Sequence, residues 1–285
     1  MNRCDFRFFH PLRVRWVEVD MQKIVFNAHY LMYFDTAIAD YWRALALPYE
    51  EAMQILGGDL YVKKASIEYH ASAQFDDRLD VALRCSRVGN TSMTFSGAVL
   101  RGDQLLVASE LIYVFADPTT QKPKPVPTLL RQILNGYEAN QPPYEIKTAS
   151  WAELGPDAKQ IRTEVFVQEQ KIPLELEWDD ADHMALHSVA YNGLGQPVGT
   201  ARLLQASAGV AKVGRMAVKR VLRGSNIGRD LLVSLTDVAK HQGYHEVMLH
   251  AQTSAQGFYS RGGFLARGEV FNEVEIAHIE MFKTL

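Results

Sequence analysis

Cysteine is scarce in this chain: Cys4 and Cys85 are its only thiols among 285 residues, and they form no CxxC pair. That excludes a disulfide framework and a cysteine-rich zinc site, and no metal is called for. No stretch reaches the roughly 18 consecutive apolar residues needed to span a bilayer. Residues 1–16 scatter arginines where a secretory leader needs an apolar run. Basic residues are not in excess either. Lys and Arg total 30 against 33 Asp and Glu, a net charge of -3 with no long basic tract, which argues against nucleic acid as a partner. Internal repeats are lacking as well. The expectation is a soluble cytoplasmic protein without a membrane segment. What is present is ordinary globular material, 47% hydrophobic and 22% charged, at a length that favours two domains.

Proline marks the division. Asp117-Pro118 opens a segment that runs through Pro123, Pro125 and Pro127; a short helix-like stretch follows at residues 128–134, then Asn140-Gln141-Pro142-Pro143. Prolines at this density block regular ladders and favour extended connectors. The boundary is placed near residues 138–150, giving domains of 1–138 and 139–285.

In the first half, residues 6–17 alternate as a strand does. From His29 to Leu47, Tyr30, Tyr33, Phe34, Ala37, Ile38, Tyr41, Trp42 and Leu45 recur at helical spacing, with Pro48 just beyond. Strand-like runs follow at 60–69, 79–88, 91–101 and 104–115. Turn residues at Asn90 and Gly102-Asp103 join the last three into an antiparallel meander. A long helix followed by a meander implies a sheet wrapped around that helix. Between the first strand and the helix, Asp20 places a carboxylate about seven residues before helix N-terminal amides able to polarise a carbonyl. The plain alternative for Asp20 is a turn residue.

In the second half, residues 212–218 read as a strand and Arg223-Gly224-Ser225-Asn226-Ile227-Gly228 as a loop before a helix opening at Arg229. Orphan amides and the helix dipole make such a loop a diphosphate cradle, so a phosphorylated cofactor is expected. No G-x-G-x-x-G follows a first strand, which weighs against a nicotinamide cofactor. Helical patterns at 156–168, 229–242 and 256–261 interleave with strands at 188–192, 197–204, 246–250 and 277–282, an α/β alternation.

These runs also carry two resemblances. The segment from Asp20 through Ile24-Val25-Phe26-Asn27-Ala28-His29-Tyr30 to Asp35 resembles the hotdog-fold acyl-CoA thioesterases of the 4-hydroxybenzoyl-CoA thioesterase type, over about residues 5–135. That resemblance implies that Asp20 is the catalytic carboxylate, nucleophile or base toward water, and that the Asn27 N–H is an oxyanion donor. It also implies subunit pairing, hence a homodimer or homotetramer. Lys23 stands where that family carries glycine, a position from which it would crowd the acyl pocket and lower the pKa of Asp20. His29 is either a neighbour of the helix start or a pocket residue, and Asp35 falls where the family often has an acid.

The cradle, the strand Arg215-Met216-Ala217-Val218, the run Phe258-Tyr259-Ser260-Arg261-Gly262-Gly263-Phe264 and the run Ile161 to Gln170 together resemble the GNAT superfamily of N-acetyltransferases, in particular its ElaA-like branch. That resemblance implies acetyl-CoA as acyl donor and an amine as acceptor. Arg223, Gly224, Ser225, Asn226, Ile227, Gly228 and Arg229 would hold the diphosphate, and the Met216 and Val218 backbones would pair with the pantetheine arm. Tyr259, protonated at neutral pH, would return a proton to the CoA thiolate; otherwise it is a packed aromatic. Asn226 takes the place of a cradle glycine, and asparagine tolerates positive φ. Glu169, His187, His250 and Glu280 are candidate bases, with a structural role the alternative for each. Arg162, Arg202 and Arg215 are either binders of an acidic acceptor or ion-pair residues.

The expected fold class is α+β, a hotdog domain followed by a GNAT domain, and the expected function is a bifunctional enzyme acting on acyl-CoA and acetyl-CoA. Two other arrangements stay open: a non-catalytic acyl-CoA-binding and dimerisation module on an acetyltransferase, or an acetyl-CoA sensor regulating a thioesterase.

Overall fold

A computed structural model describes residues 1–273 and 275–285. The chain divides into two compact units, Met1–Pro143 and Tyr144–Leu285. No helix among the described residues is long and apolar enough to cross a membrane.

The first unit runs β1 (Phe8–Arg13), α1 (His29–Ala44), α2 (Tyr49–Leu56), β2 (Asp59–Tyr69), β3 (Arg78–Val88), β4 (Ser92–Arg101), β5 (Gln104–Ala116) and α3 (Thr128–Glu138). Its strands make an antiparallel sheet in the order β1-β3-β4-β5-β2. The α1 stripe of Tyr30, Tyr33, Phe34, Ala37, Tyr41 and Trp42 is buried, and a large apolar side chain such as Phe34 removed from water stabilises the unit by about 1.5–3 kcal/mol. Gly97 of β4 lets the helix approach closely: a Cβ there would stand 2.6 Å from the Phe34 ring. The helix is thus seated on the sheet, as the hotdog expectation requires.

The expected strand at 6–17 stops at Arg13. Beyond it the alternation inverts: Val17 is 73% exposed and Glu18 is 2% exposed. The reason is electrostatic. Glu18 accepts hydrogen bonds from the Arg15 N–H (2.7 Å) and Nε (2.8 Å) and from the Tyr33 hydroxyl (2.8 Å). Burial opposes its charge, but these donors outweigh burial and hold its carboxyl below the usual range.

The second unit runs β6 (Tyr144–Ser150), α4 (Trp151–Arg162), a π-helical turn (Thr163–Glu169), α5 (Leu174–Glu177), β7 (Leu186–Asn192), β8 (Pro197–Ser207), β9 (Val210–Val218), α6 (Ile227–His241), β10 (Glu246–Gln252), α7 (Gln256–Arg261), β11 (Leu265–Glu273) and β12 (Ile276–Thr284). The sheet order is β11-β12-β10-β9-β8-β7-β6. Every residue from 197 to 203 of β8 is buried, as expected of a strand covered on both faces. Gly199 receives α6 on one face, where a Cβ would meet Ile227 at 3.0 Å and Leu231 at 3.1 Å. The helix expected at 156–168 begins earlier, at Trp151, with Pro156 in its interior. Proline at a first turn is the commoner placement, which is why the pattern misleads there.

Candidate active sites

In the first unit the chain leaves Glu18 and makes a tight reversal. Asp20 N–H donates to Ile24 O (2.9 Å), Lys23 N–H to Asp20 O (2.9 Å), and Gln22 N–H to Asp20 Oδ1 (2.8 Å). Lys23 holds φ of 61°. That left-handed value is one that only glycine adopts without cost, which accounts for the glycine expected at this place by resemblance. Asp20, Gln22, Ile24, Phe26, Asn27 and Tyr30 line a cavity of about 500 Å³ together with Tyr69, His70, Ala71 and Ser72. Lys23 is not in that wall, so the expected crowding of the pocket is not what the structure shows. The Asn27 N–H makes no hydrogen bond among the described residues and sits just ahead of α1. Its carbonyl accepts from the Tyr69 hydroxyl (3.1 Å), which fixes the peptide next to it. The structure therefore brings Asp20 and Asn27 into one cavity. His29 starts α1 and Asp35 is exposed farther along it; neither lines the cavity.

In the second unit the decisive feature is a split in the sheet. β9 and β10 pair in parallel only from Glu246↔Val210 to Met248↔Lys212, and beyond that they separate. A bulge in β9 sharpens the divergence: the register shifts between Thr200 and Arg202, and Arg215 takes φ of 49°. Lys219 N–H donates to Val198 O (3.0 Å), so Val218↔Gly199 is a non-hydrogen-bonded pair. The Val218 N–H and C=O therefore face away from β8, into the gap. Its carbonyl is already met by Arg223 Nε at 3.2 Å.

Just past β9, Gly224 and Asn226 both take left-handed conformations, with φ of 88° and 68°. α6 then starts at Ile227, two residues earlier than the sequence suggests. The N–H groups of Asn226, Ile227, Gly228 and Arg229 make no hydrogen bond among the described residues, while Asp230 N–H begins the helical ladder on Asn226 O (3.0 Å). Such orphan amides, at the positive end of a helix, form an anion site. The Arg223 guanidinium is committed elsewhere, bidentate to Glu169 at 2.7 Å on each oxygen.

The gap opens into a cavity of about 540 Å³ whose wall includes Met216, Val218, Arg223 and Tyr259. The Tyr259 hydroxyl points at the Met216 sulfur, 3.7 Å away. Surrounding protein strips water from the phenol and pushes its pKa up to about 12, so the proton stays on at neutral pH.

Two family models match the chain. The thioesterase superfamily covers residues 22–108 and the GNAT acetyltransferase domain residues 155–285. The uncharacterised N-acetyltransferase YjcF of Bacillus subtilis is 34% identical over 128 residues, 45% of this chain and 90% of that protein. The chain joins a thioesterase-superfamily domain to a GNAT acetyltransferase domain. The acyl-CoA thioester hydrolase YbgC of Escherichia coli O6:H1 is 27% identical over 128 residues, 45% of this chain and 93% of that protein. A solved acyl-CoA N-acyltransferase from Pseudomonas aeruginosa is 31% identical, with a TM-score of 0.45, covering 49% of this chain and 99% of that one.

Arg162, Arg202 and Arg215 prove to be ion-pair residues. Arg162 is 1% exposed and donates to Glu177 (2.5 Å) and Asp182 (2.7 Å). Arg202 holds Asp179 (2.6 Å) and Asp182 (2.7 Å), and Arg215 reaches Asp179 (3.1 Å) and Glu177 (3.5 Å). Their charge is spent inside the protein, so the alternative of binding an acidic acceptor is not supported for them. Glu177 and Asp182 went unnoticed in the sequence, where single acids in a polar loop carry no periodic mark. The π-helical turn after Arg162, with Gln170 N–H on Val165 O (3.1 Å), brings Val165, Phe166 and Gln170 to the cavity wall.

The candidate bases separate cleanly. Glu169 is held by Arg223, and Glu280 by Arg267 at 2.5 Å. His187 is 1% exposed with Nε2 against Asp182 O (3.0 Å), and burial pushes its pKa down. Only His250 of the four lines the GNAT cavity.

Proposed function

We propose that the thioesterase domain hydrolyses acyl-CoA thioesters and that the GNAT domain transfers an acetyl or acyl group from CoA to an amine. The observation that carries the transferase reading is the split between β9 and β10, which turns the Val218 backbone groups into a gap; the orphan amides of residues 226–229 follow in the chain at the start of α6, although they do not themselves line the cavity. A CoA diphosphate would lie on those amides and the pantetheine arm along Met216 and Val218, taking the Val218 N–H because Arg223 occupies its carbonyl. The amine would attack the thioester carbon, the C–S bond would break, and Tyr259 would protonate the departing thiolate.

In the thioesterase domain, Asp20 would act as nucleophile or as base toward water, with the Asn27 N–H and the α1 dipole stabilising the developing oxyanion. β2 is a long edge strand with Val62 and Tyr69 more than half exposed, at 56% and 53%. A second copy would cover such an edge, giving a homodimer or homotetramer.

The test is a panel of acyl-CoA thioesters assayed for free-thiol release, with and without mixed amines. Asp20→Asn should abolish amine-independent release and leave amine-dependent release intact. Full amine-independent hydrolysis of every thioester by that variant would refute the thioesterase assignment.

A further inference from the structure

The GNAT cavity holds a histidine in the arrangement of a general base. His250 of β10 lies in its wall with Tyr259, and the Glu273 Oε1 of β11 approaches His250 Nδ1 at 2.6 Å. Lys212 Nζ stands 3.3 Å from the same nitrogen. The two contacts make opposite demands: a lysine ammonium only donates and an ionised carboxylate only accepts. The shorter, charge-assisted contact to the carboxylate decides it. Nδ1 then carries the hydrogen and Nε2 is left with a free lone pair. The His250 ring is set edge-on against Phe271 (4.9 Å between centroids), which limits its rotation.

The other ionisable groups of the wall are less suited. Glu177 is spent on Arg162 and Arg215. His278 also lines the cavity, but its Nδ1 meets the backbone carbonyl of Ile276 (2.8 Å) rather than a carboxylate. A carboxylate behind the ring stabilises the imidazolium formed when a proton is taken, and a neutral carbonyl does so less.

We propose that His250 is the general base of the amine acetylation, with Glu273 as the residue that positions it; this rests on the transferase reading above. An amine arriving as ammonium gives one proton to Nε2. The neutral nitrogen attacks the thioester carbon, forming the C–N bond, and the C–S bond breaks. The thiolate takes the Tyr259 proton, and the second nitrogen proton lost in forming the amide makes good the phenol. One proton leaves overall, from His250 to solvent. Among the described residues, the charged and titratable groups that share the cavity wall with the ring, or its strand register, are Lys212 and Arg215 on β9, Arg202 on β8, Arg223 after β9, Tyr259 on α7, Glu273 on β11, His278 and Glu280 on β12, and Glu177 on α5.

The experiment compares the two-domain protein with its His250→Gln, His250→Asn, His278→Gln, Glu273→Gln and Glu273→Leu variants, using acetyl-CoA and the best amine found in the panel. Both His250 variants should lower kcat about a hundredfold. They should leave the KM of the amine and the affinity for acetyl-CoA within about twofold, the latter showing that the cavity is intact. Wild-type kcat should fall on acidification, as a requirement for a base demands; that acid limb should vanish in both His250 variants and persist in His278→Gln. Glu273→Gln, which can still accept from Nδ1–H, should retain more activity than Glu273→Leu. Undiminished kcat with an unchanged acid limb in a His250 variant overturns this inference alone. Absence of amine acetylation in the wild type overturns the transferase reading, and this inference with it.

Discussion

Replacing Tyr259 by phenylalanine separates a chemical role from a packing role. The ring itself is packed, 5.0 Å from Phe258 and 6.3 Å from Phe264 between centroids, and phenylalanine keeps those contacts. Among the described residues, the hydroxyl meets only the Met216 sulfur at 3.7 Å, a weak acceptor. Its loss strands no strong partner, so the stability change should stay below about 1 kcal/mol. That corresponds to a melting shift under about 4 °C for a domain of this size. The rate should respond on another scale. A positioned general acid contributes about 10²–10⁴-fold, or roughly 2.7–5.4 kcal/mol of barrier. Because the phenol pKa lies at about 12, the wild type should show no alkaline limb from this residue at ordinary assay pH. The assay is amine-dependent thiol release at saturating acetyl-CoA, alongside a thermal melt. A rate within about threefold of wild type, with acetyl-CoA affinity intact, would show that Tyr259 only packs.

Two further outcomes concern stability. The carboxyls of Asp182 and Asp179 feel burial first, but the bonds from Arg162 and Arg202 prevail and lower their pKa values. Native-state pKa values below those of the unfolded chain mean that this stabilisation is complete above the unfolded carboxylate range, about pH 4, and is lost as pH falls through the native values. Glu177, raised by burial, works in the opposite sense, since it takes up its proton more readily when folded. Acid denaturation of the GNAT domain should therefore steepen below about pH 4, and Asp182→Asn should cost about 3–5 kcal/mol at neutral pH and flatten that profile, read by urea melts across pH. Separately, Lys23→Gly should raise the stability of the thioesterase domain by up to about 1 kcal/mol, because the lysine is held at φ of 61°; a loss of stability in calorimetry would show that the Lys23 side chain makes compensating contacts.

Strong periodicity is the part of this fold that is legible in the sequence. The α1 stripe from Tyr30 to Trp42 and the β3-β4-β5 meander follow from apolar spacing and turn residues, because burial on one face imposes a repeat. Short or exposed elements left no such trace. β11, almost wholly exposed, and β6, split by its Glu145 and Lys147, escaped notice, as did α2. The strand expected at 6–17 overruns its true end at Arg13 because alternation assumes that apolar residues go inside, whereas here Val17 is exposed and the hydrogen-bonded carboxylate of Glu18 is buried. Asp20, Asn27 and Tyr259 were found through motifs, and each lines a cavity. The partners that pair with the candidate base, Glu273 and Lys212, lie on different strands and come together only through β-sheet register, which no single run of sequence encodes. Asn226 and Lys23, both departures from glycine in the motifs, share one explanation: each adopts the conformation that glycine would otherwise supply.

The parted strands β9 and β10 leave backbone donors and acceptors unpaired within the sheet rather than at its margin. An unpaired edge ordinarily invites another polypeptide to add itself and start an aggregate. Here the opening is a wedge closed at one end by the pairs up to Met248↔Lys212. A foreign strand finds no continuous edge to pair along in an opening closed this way, so hydrogen-bonding capacity exposed inside the sheet does not carry the aggregation hazard of a free margin.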